Sequence, residues 1–150
     1  AIIGPNRLSD VFGMTESGPV HVCNPPMRSK PATVGIPVAG ADTRIVDLET
    51  GTRELAFGEA GEIITSGPQV MLGYLNLPQE SARALRELDG KTWMFTGDVG
   101  FMDEEGYITV CDRAKDMLKE AIWKHHAEAP AFEFGNSHCD RLVEAVMARI

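Results

Sequence analysis

The rhythm of apolar and polar positions changes along this chain, and each change predicts a different kind of structure. Residues 1–18 read as a strand or loop that delivers Phe12-Gly13-Met14-Thr15-Glu16. Residues 18–40 have no period and hold Pro25-Pro26 and Ile36-Pro37, which predicts loop with short extended pieces. From Thr43 the pattern turns to β. Arg44-Ile45-Val46-Asp47 alternates, Glu49-Thr50-Gly51 turns the chain, Gly58 to Gly61 makes another turn, and Glu62-Ile63-Ile64-Thr65 is a further strand. Pro78 to Leu88 predicts a helix: proline opens it, Ala82, Leu85 and Leu88 share a face, and Gly90 stops it. Val99–Met102 and Tyr107–Val110 predict a hairpin about Asp103-Glu104-Glu105-Gly106. Then the period becomes helical. Met117, Leu118, Ala121, Ile122 and His125 fall on one face, and Pro130 ends that segment. Ser137 is an N-cap with Asp140 in capping-box position, ahead of a second stripe of Leu142, Val143, Val146, Met147 and Ile150.

Bulk properties narrow the setting. A chain of 150 residues suffices for one domain with a core. It has no apolar run long enough for a membrane span and no secretory signal pattern. The net charge of −8 argues against nucleic acid or an anionic membrane as partner, because both require a basic footprint. A nucleotide needs only a local donor-rich pocket and is not excluded by that charge. Cys23, Cys111 and Cys139 are odd in number and scattered, which fits free thiols and a cytoplasmic location. His125, His126, His138 and Cys139 raise a zinc reading, but paired histidines followed by a His-Cys pair match no recognised ligand spacing.

The ordered motifs carry most of the functional information. Phe12-Gly13-Met14-Thr15-Glu16 comes first, followed by Val34-Gly35-Ile36-Pro37 and Gly58-Glu59-Ala60-Gly61-Glu62-Ile63. Gly67-Pro68-Gln69-Val70-Met71-Leu72-Gly73-Tyr74 and Thr96-Gly97-Asp98 come next, and Asp112-Arg113-Ala114-Lys115-Asp116-Met117-Leu118-Lys119 closes the series. In this order, from about Asn6 to Lys119, the sequence resembles the adenylate-forming, AMP-binding superfamily, with fatty-acyl-CoA synthetases the nearest in pattern.

The resemblance implies a role for each motif, beside which stands a plainer reading. Asp98 would hold the ribose hydroxyls, since an ionised carboxylate only accepts hydrogen bonds and would be repelled by phosphates. Otherwise Thr96-Gly97-Asp98 is an ordinary turn with the aspartate capping an amide. Arg113 would contact the ribose as well, or else form a surface ion pair with Asp112 or Asp116. Phe12 and Gly13 would lie against adenine, Thr15 would donate to the α-phosphate, and Glu16 would hold Mg²⁺. Phe12 stands where the family usually has tyrosine, so the ring is kept and the hydroxyl lost. The plainer alternative is a buried Phe12 beside an exposed Thr-Glu turn. Lys115 matches the hinge position about which a small C-terminal domain turns. Lys119 matches a lysine that some relatives use near the acyl-adenylate; both lysines could equally lie on a solvated helix face.

The expectation is therefore an α+β fold: a small distorted antiparallel sheet or barrel with flanking helices and a helical tail. Residues 1–119 would correspond to the C-terminal part of a large adenylation domain plus its linker, and residues 120–150 to an unrelated helical tail. The chain would be a fragment of an ATP-dependent acyl-CoA synthetase. The parent enzyme would take a carboxylic acid, ATP, Mg²⁺ and CoA through an acyl-adenylate to a thioester. The phosphate loop expected upstream and the C-terminal domain expected after Lys119 are not in this sequence, so catalysis by the chain alone is not expected. The alternative is a non-catalytic binding or interaction domain derived from such an enzyme. A surface left uncovered by a missing body would be covered by the tail helices or by a second copy in a homodimer.

Overall fold

A computed structural model describes residues 9–113. The two expected tail helices, Lys115, Lys119 and the histidine-cysteine group lie outside the described residues. The architecture is α+β, as expected, and its sheets are antiparallel. A small sheet holds β1 (Val11–Phe12), β2 (Val22–Cys23) and β3 (Ile36–Pro37) in that order. The larger sheet is built on β4 (Asp42–Val46) and β5 (Gly61–Ser66). A short helix α1 (Pro78–Ala84) then leads into β6 (Leu85–Leu88), β7 (Lys91–Met102) and β8 (Ile108–Arg113). The five strands run β4-β5-β7-β6, with β8 also paired to β7.

The alternation read from β4 and β5 places side chains on both faces of this sheet. On one face Ile45 and Ile63 pack with Val22 and Ile108, flanked by Phe12, Val34, Leu55, Met102 and Val110. On the other, Val46 and Ile64 pack with Trp93 and Phe95, flanked by Leu88. Arginines cover the second cluster: Arg44 lies 4.6 Å from the centre of the Trp93 ring and Arg86 lies 4.0 Å from that of Phe95. The two sheets are joined directly, since the Val34 N–H donates to the Ile108 carbonyl and the Ile108 N–H to the Gly35 carbonyl, both at 2.8 Å. This seam, together with Val22 in the shared core, ties the first motif of the chain to the hairpin that carries the last.

The helix expected over 78–88 is shorter, and the difference has a clear cause. Leu85–Leu88 pairs with β7 from Leu85↔Met94 to Leu88↔Lys91, closed by Asp89-Gly90. Asp89 (φ 53°) and Gly90 (φ 73°) both take the left-handed conformation that a two-residue hairpin turn demands. The hairpin brings Leu88 against the Trp93 cluster, whereas α1 has no buried residue. Burial of β6 on the sheet therefore overrides the helical period of its sequence. The expected β7–β8 hairpin is present, with Phe101↔Thr109 and Met102↔Ile108 in register. Cys23 is a free thiol. Cys111 is disulfide-bonded, which corrects the expectation of a free thiol there. Met27, Phe57, Leu72, Leu75 and Leu77 remain exposed. Among the described residues no helix is long and apolar enough to cross a membrane.

Candidate functional site

The Thr96-Gly97-Asp98 motif is a bulge in β7. Glu62 pairs with Val99 and Ile64 with Phe95, so Ile63 alone on β5 faces all of Thr96, Gly97 and Asp98. The extra residues leave the ladder, and three hydrogen bonds hold them instead. The Thr96 hydroxyl donates to the Ile63 carbonyl at 2.7 Å, the Asp98 N–H donates to the Thr96 hydroxyl at 3.1 Å, and the Gly97 N–H donates to Glu62 Oε1 at 3.0 Å. Gly97 has φ 74°, which explains glycine at this point. A Cβ added there would meet no described atom within 4 Å, so the space over the bulge is open.

Asp98 is buried and sits directly across the ladder from the exposed Arg113, whose Nε lies 3.3 Å from Asp98 Oδ1. The pairing of these two residues, which the resemblance assigned to one ribose, is thus set by strand register. It places Asp98 within reach of the arginine. Burial of a carboxylate is tolerable here because a guanidinium faces it.

The first motif is supported differently. Phe12 ends β1, and Thr15–Ser17 forms a single 3-10 turn with Thr15 exposed. Phe12 packs edge-on against His21, with ring centres 4.8 Å apart and planes at 71°. His21 Nδ1 is 2.7 Å from the Ser17 hydroxyl, and its Nε2 has no partner among the described residues. Burial lowers the His21 pKa from 6.5 to about 4, so the ring is neutral at physiological pH. A Cβ on Gly13 would lie 2.3 Å from the Pro19 carbonyl oxygen, so the chain doubles back too closely for a side chain.

Glu16 is held from outside its own motif. The Met71 N–H donates to the Glu16 carbonyl at 2.8 Å, and the Tyr74 hydroxyl donates to Glu16 Oε1 at 2.9 Å. The hydrogen bond to Glu16 also raises the Tyr74 pKa. A partly exposed carboxylate with one oxygen so oriented fits the chemistry of a single ligand to Mg²⁺, which keeps most of its waters. Tyr74 and Glu62 are the residues that motif reasoning did not assign to the site. Both belong to motifs already noted, but what they touch lies far away in sequence. The site residues Lys115 and Lys119 lie outside the described residues.

Comparisons with known proteins show the family. Residues 1–75 match the family model described as AMP-binding enzyme. The chain is 40% identical over 134 residues to the long-chain-fatty-acid–CoA ligase of Bacillus subtilis, covering 81% of this chain and 23% of that protein. It is 38% identical over 133 residues to 4-coumarate–CoA ligase 2 of Nicotiana tabacum, covering 85% of this chain and 23% of that protein. Among solved structures, ATP-bound MatB from Rhodopseudomonas palustris superposes with a TM-score of 0.66 at 32% identity, over 84% of this chain and 26% of that one. The chain belongs to the AMP-binding, adenylate-forming enzyme family. It is acyl-CoA-synthetase-like and spans about a quarter of the length of the curated relatives it matches.

Proposed function

We propose that this chain supplies the adenosine-binding part of an ATP-dependent acyl-CoA synthetase and does not catalyse by itself. The observation that carries the reading is Asp98, buried on an open bulge and set opposite Arg113. Two carboxylate oxygens can accept from two vicinal ribose hydroxyls, and the arginine can donate to a ribose oxygen. Phe12 would lie against adenine, Gly13 would let the backbone approach it, and Thr15 would donate to the α-phosphate. Glu16 would hold Mg²⁺, which supplies charge neutralisation at the phosphates when bound. The reaction served is attack of a carboxylate on the α-phosphorus of ATP, releasing pyrophosphate. The CoA thiol then attacks the acyl carbonyl, and AMP leaves. Lys115 would act as the hinge between the two half-reactions, and Lys119 would lie near the acyl-adenylate.

The protein's own donors for phosphate are few in this reading, while Glu16 and Asp98 add negative charge. Affinity should therefore reside in the nucleoside, with ATP bound no tighter than AMP. NMR titration of the isotope-labelled chain tests this. AMP should perturb Phe12, Gly97, Asp98 and Arg113, and Asp98→Ala should move the titration to roughly ten- to a hundred-fold higher AMP. Absence of any perturbation at Asp98 in the wild-type chain would overturn the reading.

A further inference from the structure

We propose that Glu62 is a positioning residue for Asp98: its carboxylate locks the β7 bulge through the Gly97 amide and so sets the direction in which Asp98 meets the ribose. The inference rests on the nucleotide reading above and adds to it a residue outside the nucleotide motifs.

Glu62 lies on β5, next to the buried Ile63 and Ile64. A half-buried carboxylate at an interior strand position is a costly choice where an apolar or hydroxyl side chain would serve the sheet. Desolvation by burial raises the Glu62 pKa, and Asp98, a second carboxylate nearby, adds to that. Arg86 from β6 and the Gly97 N–H from β7 favour the ionised form. The bulge explains the choice. Gly97, at positive φ, turns its N–H out of the ladder, and Glu62 Oε1 receives that N–H at 3.0 Å. The neighbouring residue does the same through its backbone, since the Ile63 carbonyl accepts from the Thr96 hydroxyl at 2.7 Å. Two adjacent β5 residues thus tie down the two bulge residues before Asp98. Asp98 itself is fixed in register with Arg113. Removal of the Glu62 acceptor frees the Thr96–Gly97 peptide, which carries that N–H, to rotate; the turn at Gly97 then changes, and with it the direction of the Asp98 side chain, while the β8 pairing holds the Asp98 backbone.

The test uses the full isotope-labelled chain, with AMP as the probe. In the wild type, the Gly97 amide proton should move with the ionisation of the Glu62 carboxyl, as a charge-assisted donor does. Glu62→Gln keeps an acceptor oxygen. It should abolish that titration while keeping AMP affinity within about two-fold. Glu62→Ala should expose the Gly97 amide to hydrogen exchange and shift the Asp98 carboxyl resonance. AMP should then bind roughly ten-fold more weakly, as for the loss of one hydrogen bond of about 1.4 kcal/mol. A Gly97 amide indifferent to Glu62 ionisation in the wild type overturns the proposal, and needs no variant to fold. So does an alanine variant with wild-type Asp98 resonances. Failure of AMP to bind the wild-type chain would sink the nucleotide reading instead, with the Gly97 and Asp98 resonances still deciding what Glu62 does.

Discussion

Phe12, Thr15 and Glu16 hang from the two-residue strands of a small sheet, whereas Asp98 rides on a bulge inside a twelve-residue strand paired on both sides. The bulge is surrounded by ladder. β5 lies along one edge of β7, β6 and β8 share the other, and a cluster of Trp93, Phe95, Ile64 and Val46 packs on one face of the same sheet. The first motif has little ladder, and is held by isolated contacts: His21 against Phe12 and Ser17, and Met71 and Tyr74 against Glu16. Under the proposed function, which has two successive half-reactions, the contrast suits a division of labour. The proposed ribose acceptor is built into a paired strand of the larger sheet. The residues assigned to phosphate and metal sit where a few contacts can be remade. Local stability follows the density of buried contacts, so the two halves should respond differently to the same insult.

The largest expected effect comes from emptying the core of the sheet that carries the bulge. Trp93 is 1% exposed and donates from Nε1 to the Leu88 carbonyl at 3.2 Å. Trp93→Ala should cost about 3–5 kcal/mol in chemical denaturation, a large share of a small domain's stability. A loss below about 1 kcal/mol would mean that the bulge does not depend on this packing.

Acid should act on the other half first. The folded pKa of His21, about 4, lies below its ordinary 6.5. Between these values the unfolded chain binds the extra proton. The stability that the neutral ring supports is therefore complete above pH 6.5, falls as pH drops, and is exhausted near pH 4. The loss should reach at most about 3 kcal/mol, and His21→Asn should flatten that part of the stability–pH curve. In NMR spectra across this range, Phe12 and Ser17 should broaden before Gly97. Simultaneous broadening would erase the distinction between the two regions.

Removing the proposed ribose acceptor probes the larger sheet by function. Asp98→Ala should weaken AMP by roughly ten- to a hundred-fold, the scale of hydrogen bonds to a charged group at about 1.5–3 kcal/mol. Calorimetric titration measures this, and an unchanged affinity would take Asp98 out of the site. The smallest effect is expected at Tyr74. Tyr74→Phe deletes one partly exposed hydrogen bond to Glu16, worth about 0.5–1 kcal/mol. It should leave AMP affinity alone and reduce only the Mg²⁺-dependent part of ATP binding, by a few-fold. An equal loss for AMP would show that Tyr74 supports the nucleoside side, and would join the two halves into one unit.

The sequence was informative where structure follows from neighbours in the chain. Alternation in Arg44–Asp47 and Glu62–Thr65 corresponds to β4 and β5, and the Asp103–Gly106 turn to the β7–β8 hairpin. It misled at Leu85–Leu88, where apolar spacing with a helical period was read as helix although Asp89-Gly90 offered a hairpin signal immediately afterwards. In the site, each motif residue within the described range is recognisable by type, and the motif order carries the family. What each one touches was not legible. Arg113 was expected at the ribose or else in an ion pair with Asp112 or Asp116, and nothing local showed that it would face Asp98 across a ladder.

By itself, then, the sequence determined the family, the main strands and turns, and the identity of the nucleotide-site candidates, because these depend on residue type and short-range order. Tertiary structure alone decided that Thr96-Gly97-Asp98 would be a bulge, since a bulge exists only relative to the register of β5. It decided too that Glu62 would hold Gly97 and that Tyr74 would hold Glu16, across separations that no local period encodes. The physical reason is that hydrogen-bond donors displaced from a ladder must find acceptors wherever packing brings them. That placement is a property of the assembled sheet and not of any segment within it.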